Sequence, residues 1–280
     1  MVSFWDARLP PGLARDRAGV IPELVEWIVW APADKEENQV SQERSEAVVL
    51  RGVDFSETSR IVTLLLPVRG RMACLAKGAR RKKSAFGGAL DTLNRIEAIY
   101  YWRDGREVQQ LGEASILDAY GGIKASLEKS AFSSFPLEVA YRVAHENEPS
   151  QELFSTLVHG LESLERWDRS PQAHACWQVV QLLITAGFEP TLEVCVDCGR
   201  PVSGAAGFAY RGGVTCDGCA GDRRLTAREL DDMRALAGSR ASCPRIEPMP
   251  SLFKLLRAYA SQQLETDFRS ARVIEEIFGL

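Results

Sequence analysis

Four cysteines between positions 195 and 219 have the residue type and spacing to bind a metal ion. They form two CxxC pairs separated by 17 residues: Cys195 and Cys198, then Cys216 and Cys219. This spacing is typical of a four-thiolate zinc site, in which soft sulfur ligands surround the ion tetrahedrally. Between the pairs, GFAYRGGVT contains a Gly212-Gly213 turn that favours a β-hairpin. The sequence therefore predicts a zinc ribbon that holds one Zn²⁺ per chain.

Other chemistries for these cysteines fit the sequence less well. A thiol redox centre pairs a lone CxxC with a βαβ pattern, and neither CxxC here lies beside one. Disulfide frameworks belong to small, cysteine-dense secreted domains, whereas this chain has 280 residues and 7 cysteines. A catalytic zinc keeps one position open for water, and four cysteines leave none. The predicted metal is therefore structural.

A second group of side chains, the basic run at 69–83, could bind phosphates. RGRMACLAKGARRKK has no acid and seven cations: Arg69, Arg71, Lys77, Arg80, Arg81, Lys82 and Lys83. Such cations displace the counterions condensed on nucleic-acid phosphates, so their binding weakens with salt and reads no base sequence. The formal net charge of the chain is -4, so attraction to a polyanion must come from local clustering. A solvated loop without a partner is the alternative for any charge run.

Aromatic residues that could stack on bases lie near the basic run: Phe55, Phe86, Tyr100, Tyr101 and Trp102. On a strand, Tyr100 and Trp102 share one face and Tyr101 lies on the other. At least one of these three is therefore expected in a hydrophobic core.

Short strand-like runs surround the basic run and the nearby aromatic residues. Five segments between 46 and 116 have the length and composition of strands, with turn-forming residues between them: EAVVLRG, RIVTLLL, RMACLAKG, NRIEAIYYW and EVQQLGEAS. Five such strands match a small barrel of the OB type, a fold that binds oligonucleotides. After residue 117 apolar residues recur at helical spacing. The predicted fold class is α+β.

Three segments follow from these patterns. Residues 1–45 form a charged N-terminal extension, predicted to be poorly ordered or the product of a mis-set start. Residues 46–120 form an OB-fold DNA-binding domain. Residues 121–280 form an α-helical domain that contains the zinc module at 192–222.

No constellation of residues predicts an enzyme. His145, His159 and His174 are scattered over helical segments, where each is expected as a surface or capping residue. The sequence has no nucleophile elbow, P-loop or HExxH motif. It has no secretory signal, and its longest apolar runs are too short to span a bilayer, so a cytosolic, reducing location is expected.

The order of these elements resembles the bacterial DNA repair and recombination protein RecO family. The resemblance covers about 46–275 and rests on EAVVLRGVDFSETSRIVTLLLPVRGRMACLAKGARRKKSAFGGAL, LLITAGFEPTLEVCVDCGRP, GGVTCDGC and LFKLLRAYASQQLETDFRSARVI. Six cations match the family's basic strand and loop: Arg71, Lys77, Arg80, Arg81, Lys82 and Lys83. Pro67 and Arg69 depart from the Thr and His more frequent there, and Lys82 replaces a residue that is often Pro.

The resemblance implies a recombination mediator rather than an enzyme. It implies binding of single- and double-stranded DNA, annealing of complementary strands, and work with RecR to load RecA onto DNA coated by single-strand binding protein. It implies structural Zn²⁺ on the four cysteines, a cytoplasmic, nucleoid-associated location, no membrane contact and no small-molecule substrate. The alternative is a zinc-ribbon adaptor that recruits repair or replication partners and touches DNA only incidentally.

Overall fold

The structure is a computed structural model that describes residues 40–280. Its first half is a closed five-stranded barrel. Its strands are β1 (Ser41–Asp54), β2 (Arg60–Leu66), β3 (Gly70–Ala76), β4 (Arg95–Trp102) and β5 (Val108–Asp118). Their order around the barrel is β1-β2-β3-β5-β4, with β3 and β5 parallel and the other pairs antiparallel. This arrangement confirms the predicted OB-type barrel.

The first strand is longer than the sequence pattern indicated. β1 begins at Ser41, five residues before the boundary predicted at 46, and pairs with β4 from Ser41 opposite Trp102 onward. The segment SQERSE contains no apolar residue, so its sequence does not indicate a strand. In the structure its side chains are exposed or half-buried. The rest of the predicted N-terminal extension, 1–39, lies outside the described residues.

The barrel interior is filled by alternating side chains. Val62, Leu64 and Leu66 of β2 are fully buried, as period-2 alternation requires. Tyr100 and Trp102 also belong to this inner cluster, while Tyr101 is exposed. The prediction that the two faces of this strand differ is therefore confirmed. With Phe86, which belongs to the same cluster, three of the five candidate stacking rings are core residues.

The second half of the chain is mainly helical. Its helices are α1 (Gly121–Ala125), α2 (Leu127–Val143), α3 (Gln151–Glu165), α4 (Pro171–Thr185), α5 (Ala227–Gly238), α6 (Pro250–Gln263) and α7 (Arg269–Phe278). Between α4 and α5 lies a small sheet of β6 (Ala206–Ala209), β7 (Gly213–Thr215) and β8 (Arg223–Leu225) in the order β7-β6-β8. Among residues 40–280, no helix is long and apolar enough to cross a lipid bilayer.

The outer face of the barrel shares an apolar core with the helices, separate from the cluster inside the barrel. Val48, Leu50 and Leu65 point out of the barrel and belong to the same buried cluster as the helical side chains. Arg95 of β4 adds a polar link, because it donates to Glu162 of α3 over 3.0 Å. The barrel is therefore held against the helical domain by both packing and charge.

One histidine does not lie where the sequence led us to expect it. His174 of α4 is fully buried between Trp167 and Trp177, and its Nε2 lies 3.1 Å from Ser163 Oγ. Burial favours the neutral imidazole and lowers its pKa from 6.5 to about 3. The expectation of a surface or capping residue was wrong for His174, because the helix turns this position toward the core.

This burial predicts a specific loss of stability in acid. The unfolded chain takes up a proton on His174 below pH 6.5, whereas the folded chain does not until about pH 3. Stability is therefore full above pH 6.5 and falls as the pH drops, by about 2–3 kcal/mol at pH 4.5. In the native protein the free energy of unfolding in urea should fall between pH 7 and pH 4.5. We expect this fall to be smaller in His174→Gln, by the part that His174 contributes. His159→Gln, at an exposed position, serves as the control; an equal change in both variants would contradict the assignment.

Candidate nucleic-acid interface and metal centre

The connection between β3 and β4 presents the basic residues to solvent. Residues 77–83, here called the basic loop, follow the last residue of β3, and Lys77, Arg80, Arg81, Lys82 and Lys83 are all exposed. Turn hydrogen bonds shape the loop, including Arg81 N to Gly78 O at 3.1 Å. Immediately after it, Phe86 and Leu90 pack into the barrel core. The loop is therefore anchored at both ends, with its cations on the outside.

Arg80 connects the basic loop to the turn between β1 and β2. Its backbone N–H donates to Thr58 O over 3.0 Å, and its guanidinium donates to Ser56 O over 2.9 Å and lies 3.3 Å from Asp54. These contacts fix the direction of the loop. The remaining exposed cations are free of ion pairs within residues 40–280: Lys77, Arg81, Lys82 and Lys83.

Arg69 lies apart from the basic loop, at the other end of β3. Its guanidinium donates to both oxygens of Glu43, at 2.6 and 3.2 Å, and lies 4.0 Å from the centroid of Trp102. Burial opposes the charge on Glu43, but hydrogen bonds from Arg69 and Tyr100 outweigh it and hold the pKa of this carboxyl below its usual value. Arg69 is therefore engaged in a polar network that covers one end of the barrel.

Arg71 joins the barrel to the helical domain. It donates to Tyr141 O over 2.8 Å and to Glu146 over 3.0 Å, and its guanidinium lies 4.7 Å from the centroid of the Tyr141 ring. The backbone follows the same route, because Arg71 N donates to His145 O over 2.9 Å. Of the seven predicted DNA contacts, five thus lie on the basic loop, and Arg69 and Arg71 have partners within the chain.

This position of Arg71 predicts an effect on stability. Arg71→Ala leaves the Tyr141 carbonyl and the Glu146 carboxylate without their charged donor, so we expect the free energy of unfolding to fall by about 1–3 kcal/mol. Urea denaturation measures this change. Affinity for single-stranded DNA, measured well below the melting temperature, should change less than about twofold. A large loss of affinity at unchanged stability would make Arg71 a direct DNA contact.

The four predicted metal ligands meet at one point. All four Sγ atoms lie within 4.8 Å of one another, and those of Cys198 and Cys216 are 3.6 Å apart. Ligands about 2.3 Å from a tetrahedral zinc are roughly 3.8 Å from each other, so the cluster fits such an ion. The two CxxC turns present these sulfurs, and the predicted hairpin between them is confirmed as β6 and β7.

The four sulfurs are close enough to hydrogen-bond to one another, and the protons that they share would be displaced by a bound divalent cation. A backbone hydrogen bond from Cys216 lowers the pKa of the Cys195 thiol to about 6. The neighbouring sulfurs of Cys195, Cys198 and Cys216, to which Cys219 donates, raise the pKa of the Cys219 thiol to about 12. At a thiolate metal site the metal ion competes with protons, because each cysteine must lose its proton to become a ligand. Among residues 40–280, these four cysteines are the only group of His, Cys and acidic side chains whose ligand atoms lie close enough together to hold a metal ion.

Hydrogen bonds join the cysteine module to the helices around it. Arg223 of β8 donates to Ser251 O over 2.8 Å and also binds Glu229, the capping residue at the start of α5. Arg234 of α5 donates to Leu192 O and Val202 O, which flank the first CxxC, at 2.9 and 2.8 Å. The module is therefore built into the helical domain rather than extended from it.

The fold and these two sites define the class of protein. A closed OB-type barrel with a basic loop is packed on a helical domain with a four-thiolate module. The models of recombination protein O, N-terminal and C-terminal, match residues 40–120 and 124–272 of this chain. The chain belongs to the RecO family of DNA repair proteins.

Individual relatives agree with the family models. A DNA repair protein RecO from Anaeromyxobacter sp. (strain K) is 35% identical over 175 residues, which span 62% of this chain and 68% of that protein. Those from Streptomyces griseus subsp. griseus and Bifidobacterium animalis subsp. lactis are 30% and 31% identical over 244 and 242 residues. Each of these two matches spans 83% of this chain and 98% of the relative.

Proposed function

We propose that this protein is a recombination mediator that binds single- and double-stranded DNA through the basic loop and anneals complementary strands. The observation that carries the proposal is the set of exposed cations at the end of β3, which are anchored on an OB-type barrel and, within residues 40–280, form no ion pair except at Arg80. Lys77, Arg81, Lys82 and Lys83 can each meet a phosphate. Arg69 and Arg71 support the barrel rather than contact DNA.

Annealing follows from the physics of such contacts. Two complementary strands repel each other through their phosphates until cations reduce that charge. A loop with several unpaired cations lowers the repulsion where the strands meet, and its salt-sensitive contacts then release the duplex. No covalent bond is made or broken in the protein or the DNA, so the proposed activity is not enzymatic.

The partners in this proposal are RecR and single-strand binding protein. Together with RecR, the chain would help load RecA onto DNA coated by single-strand binding protein, in the cytoplasm at the nucleoid. Membership of the RecO family supports this role. The cysteine module supports it indirectly. Its four sulfurs lie close enough together for one structural Zn²⁺, which would stabilise the helical domain on which the barrel is packed.

The loading step has a direct test. Single-stranded DNA is coated with single-strand binding protein, and DNA-dependent ATP hydrolysis by RecA is followed with and without this chain and RecR. The proposal predicts that hydrolysis resumes only when both are present, and that it fails with a variant carrying Arg81→Glu, Lys82→Glu and Lys83→Glu. Full hydrolysis with that variant would instead support the adaptor, in which DNA contact is incidental.

A further inference from the structure

A row of uncharged side chains crosses the outside of the barrel. The strand registers place five residues side by side on this surface: Val53, Ile61, Leu75, Gln110 and Tyr101. Directly paired residues on neighbouring strands point to the same face of a sheet. Their inward neighbours, such as Val62 and Tyr100, belong to the barrel core. Val53 and Tyr101, at the two ends of the row, are 44% and 37% exposed, whereas Leu75 between them is 7% exposed.

The ring of Tyr101 lies against the backbone of β5. A Cβ atom added to Gly112 would be 3.0 Å from Cε2 and 3.6 Å from Cζ of Tyr101, so the ring occupies the space that any other side chain at 112 would take. One side of the ring is thereby supported by the strand, and the exposed part is turned to solvent. An aromatic ring held in this way is a platform on which a base can stack.

Cations lie at opposite ends of this surface. Lys77, at the start of the basic loop, follows Leu75 by two positions, and Arg103 follows Tyr101 by two positions. Because β3 and β4 run in opposite directions, the two cations are separated by roughly 13 Å along the strands and about 10 Å across them. Leu75, Gln110 and Tyr101 of the row lie between them.

The loop that carries Arg103 is held in one shape by a buried amide. Gln109 is 1% exposed, accepts from Arg103 N over 3.0 Å and donates to Arg103 O and Arg106 O over 3.0 and 2.8 Å. The side chains of Arg103 and Arg106 are exposed and form no ion pair within residues 40–280. This second pair of cations is thus presented to solvent on a fixed backbone.

We propose that a single strand of nucleic acid crosses this surface from the basic loop to Arg103 and Arg106, and that Tyr101 stacks on one of its bases. Tyr101 is then a residue that favours single strands over duplex, since a paired base cannot leave its stack to meet a ring on the barrel. The cations at both ends bind phosphates and do not distinguish the two. This inference rests on the proposed function, because it specifies the strand type held at the same interface.

The test compares Tyr101→Ala with Tyr101→Phe in the full-length protein. Affinities are measured by fluorescence anisotropy for a labelled thymidine oligonucleotide, the same oligonucleotide with abasic positions, and a duplex of equal length. We expect Tyr101→Ala to weaken binding of the thymidine strand about 5- to 100-fold. The duplex and the abasic strand should change less than about twofold, and Tyr101→Phe should bind as the native protein does.

A second variant reaches the same ring without changing it. Gly112→Val displaces the Tyr101 ring, so it should reproduce the selective loss of affinity for the thymidine strand. Cooperative thermal unfolding of this variant serves as the control that the barrel is still folded. An equal loss for single strand and duplex, or none, would overturn the role of Tyr101. If the variant with Arg81, Lys82 and Lys83 reversed loses binding while Tyr101→Ala does not, only this inference fails. If both bind as the native protein does, the proposed function fails as well.

Discussion

Reversing the charge of Arg81, Lys82 and Lys83 to glutamate is expected to lower the affinity for single-stranded DNA by two to three orders of magnitude near 0.1 M salt. Each phosphate contact on a single strand contributes a slope of about 0.7 in the dependence of log affinity on log salt. Three lost contacts account for roughly a hundredfold at this salt concentration, and repulsion by the new carboxylates adds to it. Strand annealing should be lost with it.

Arg80 is left unchanged in this variant for a structural reason. Its contacts with Asp54, Ser56 and Thr58 fix the loop, so its replacement would mix a folding effect with a binding effect. The other three side chains are exposed and have no ion pair to lose within residues 40–280. Near-native affinity in the triple variant would show that DNA is held elsewhere.

A matched control makes the same change in net charge on the helical domain. Arg240, Arg245 and Lys254 are exposed and lie outside the barrel, so reversing them should change affinity less than about threefold. Equal losses in both triple variants would mean that the net charge of the chain, not the basic loop, governs binding.

Loss of the proposed structural zinc is the second change for which a large effect is expected, on folding rather than on DNA contact. Structural zinc contributes about 10 kcal/mol or more to the folding of small thiolate sites. Its loss would release the hairpin that buries Phe208 against Tyr259 of α6, whose rings lie 5.6 Å apart. We expect Cys195→Ser to lower the melting temperature by more than 10 °C and the native protein to contain one zinc ion per chain.

The DNA affinity of the same variant separates the two sites. The barrel has its own buried cluster, so at low temperature Cys195→Ser should bind single strands within about threefold of the native protein. Elemental analysis, thermal unfolding and DNA binding are measured on one preparation. Cys243→Ala, a buried cysteine outside the cluster, should keep the zinc. Loss of DNA binding with the melting temperature unchanged would assign the metal a direct role.

Features set by neighbours in the sequence could be predicted well. The two CxxC turns, the Gly212-Gly213 hairpin and the alternation in β2 each depend on residues a few positions apart. The capping box of Thr226 and Glu229 is of the same kind and is present at the start of α5. Pro136 is an exception, because α2 continues through it where burial on both sides outweighs the lost hydrogen bond.

Features set by distant partners could not be predicted. Arg69 and Arg71 belong to the same charge run as the basic loop, yet their carboxylate partners, Glu43 and Glu146, lie 26 and 75 residues away. The support of Tyr101 by Gly112 likewise depends on the register of β4 and β5. Composition reports how many cations are present, and only the fold decides which of them are free.

The salt dependence of single-strand binding tests most directly whether the basic loop holds the DNA. Affinity is measured from 50 to 300 mM salt for the native protein and for the variant with Arg81, Lys82 and Lys83 reversed. If the three cations contact phosphates, the slope of log affinity against log salt becomes shallower by about 2. An unchanged slope, whatever the absolute affinity, would contradict the assignment of the interface to the basic loop.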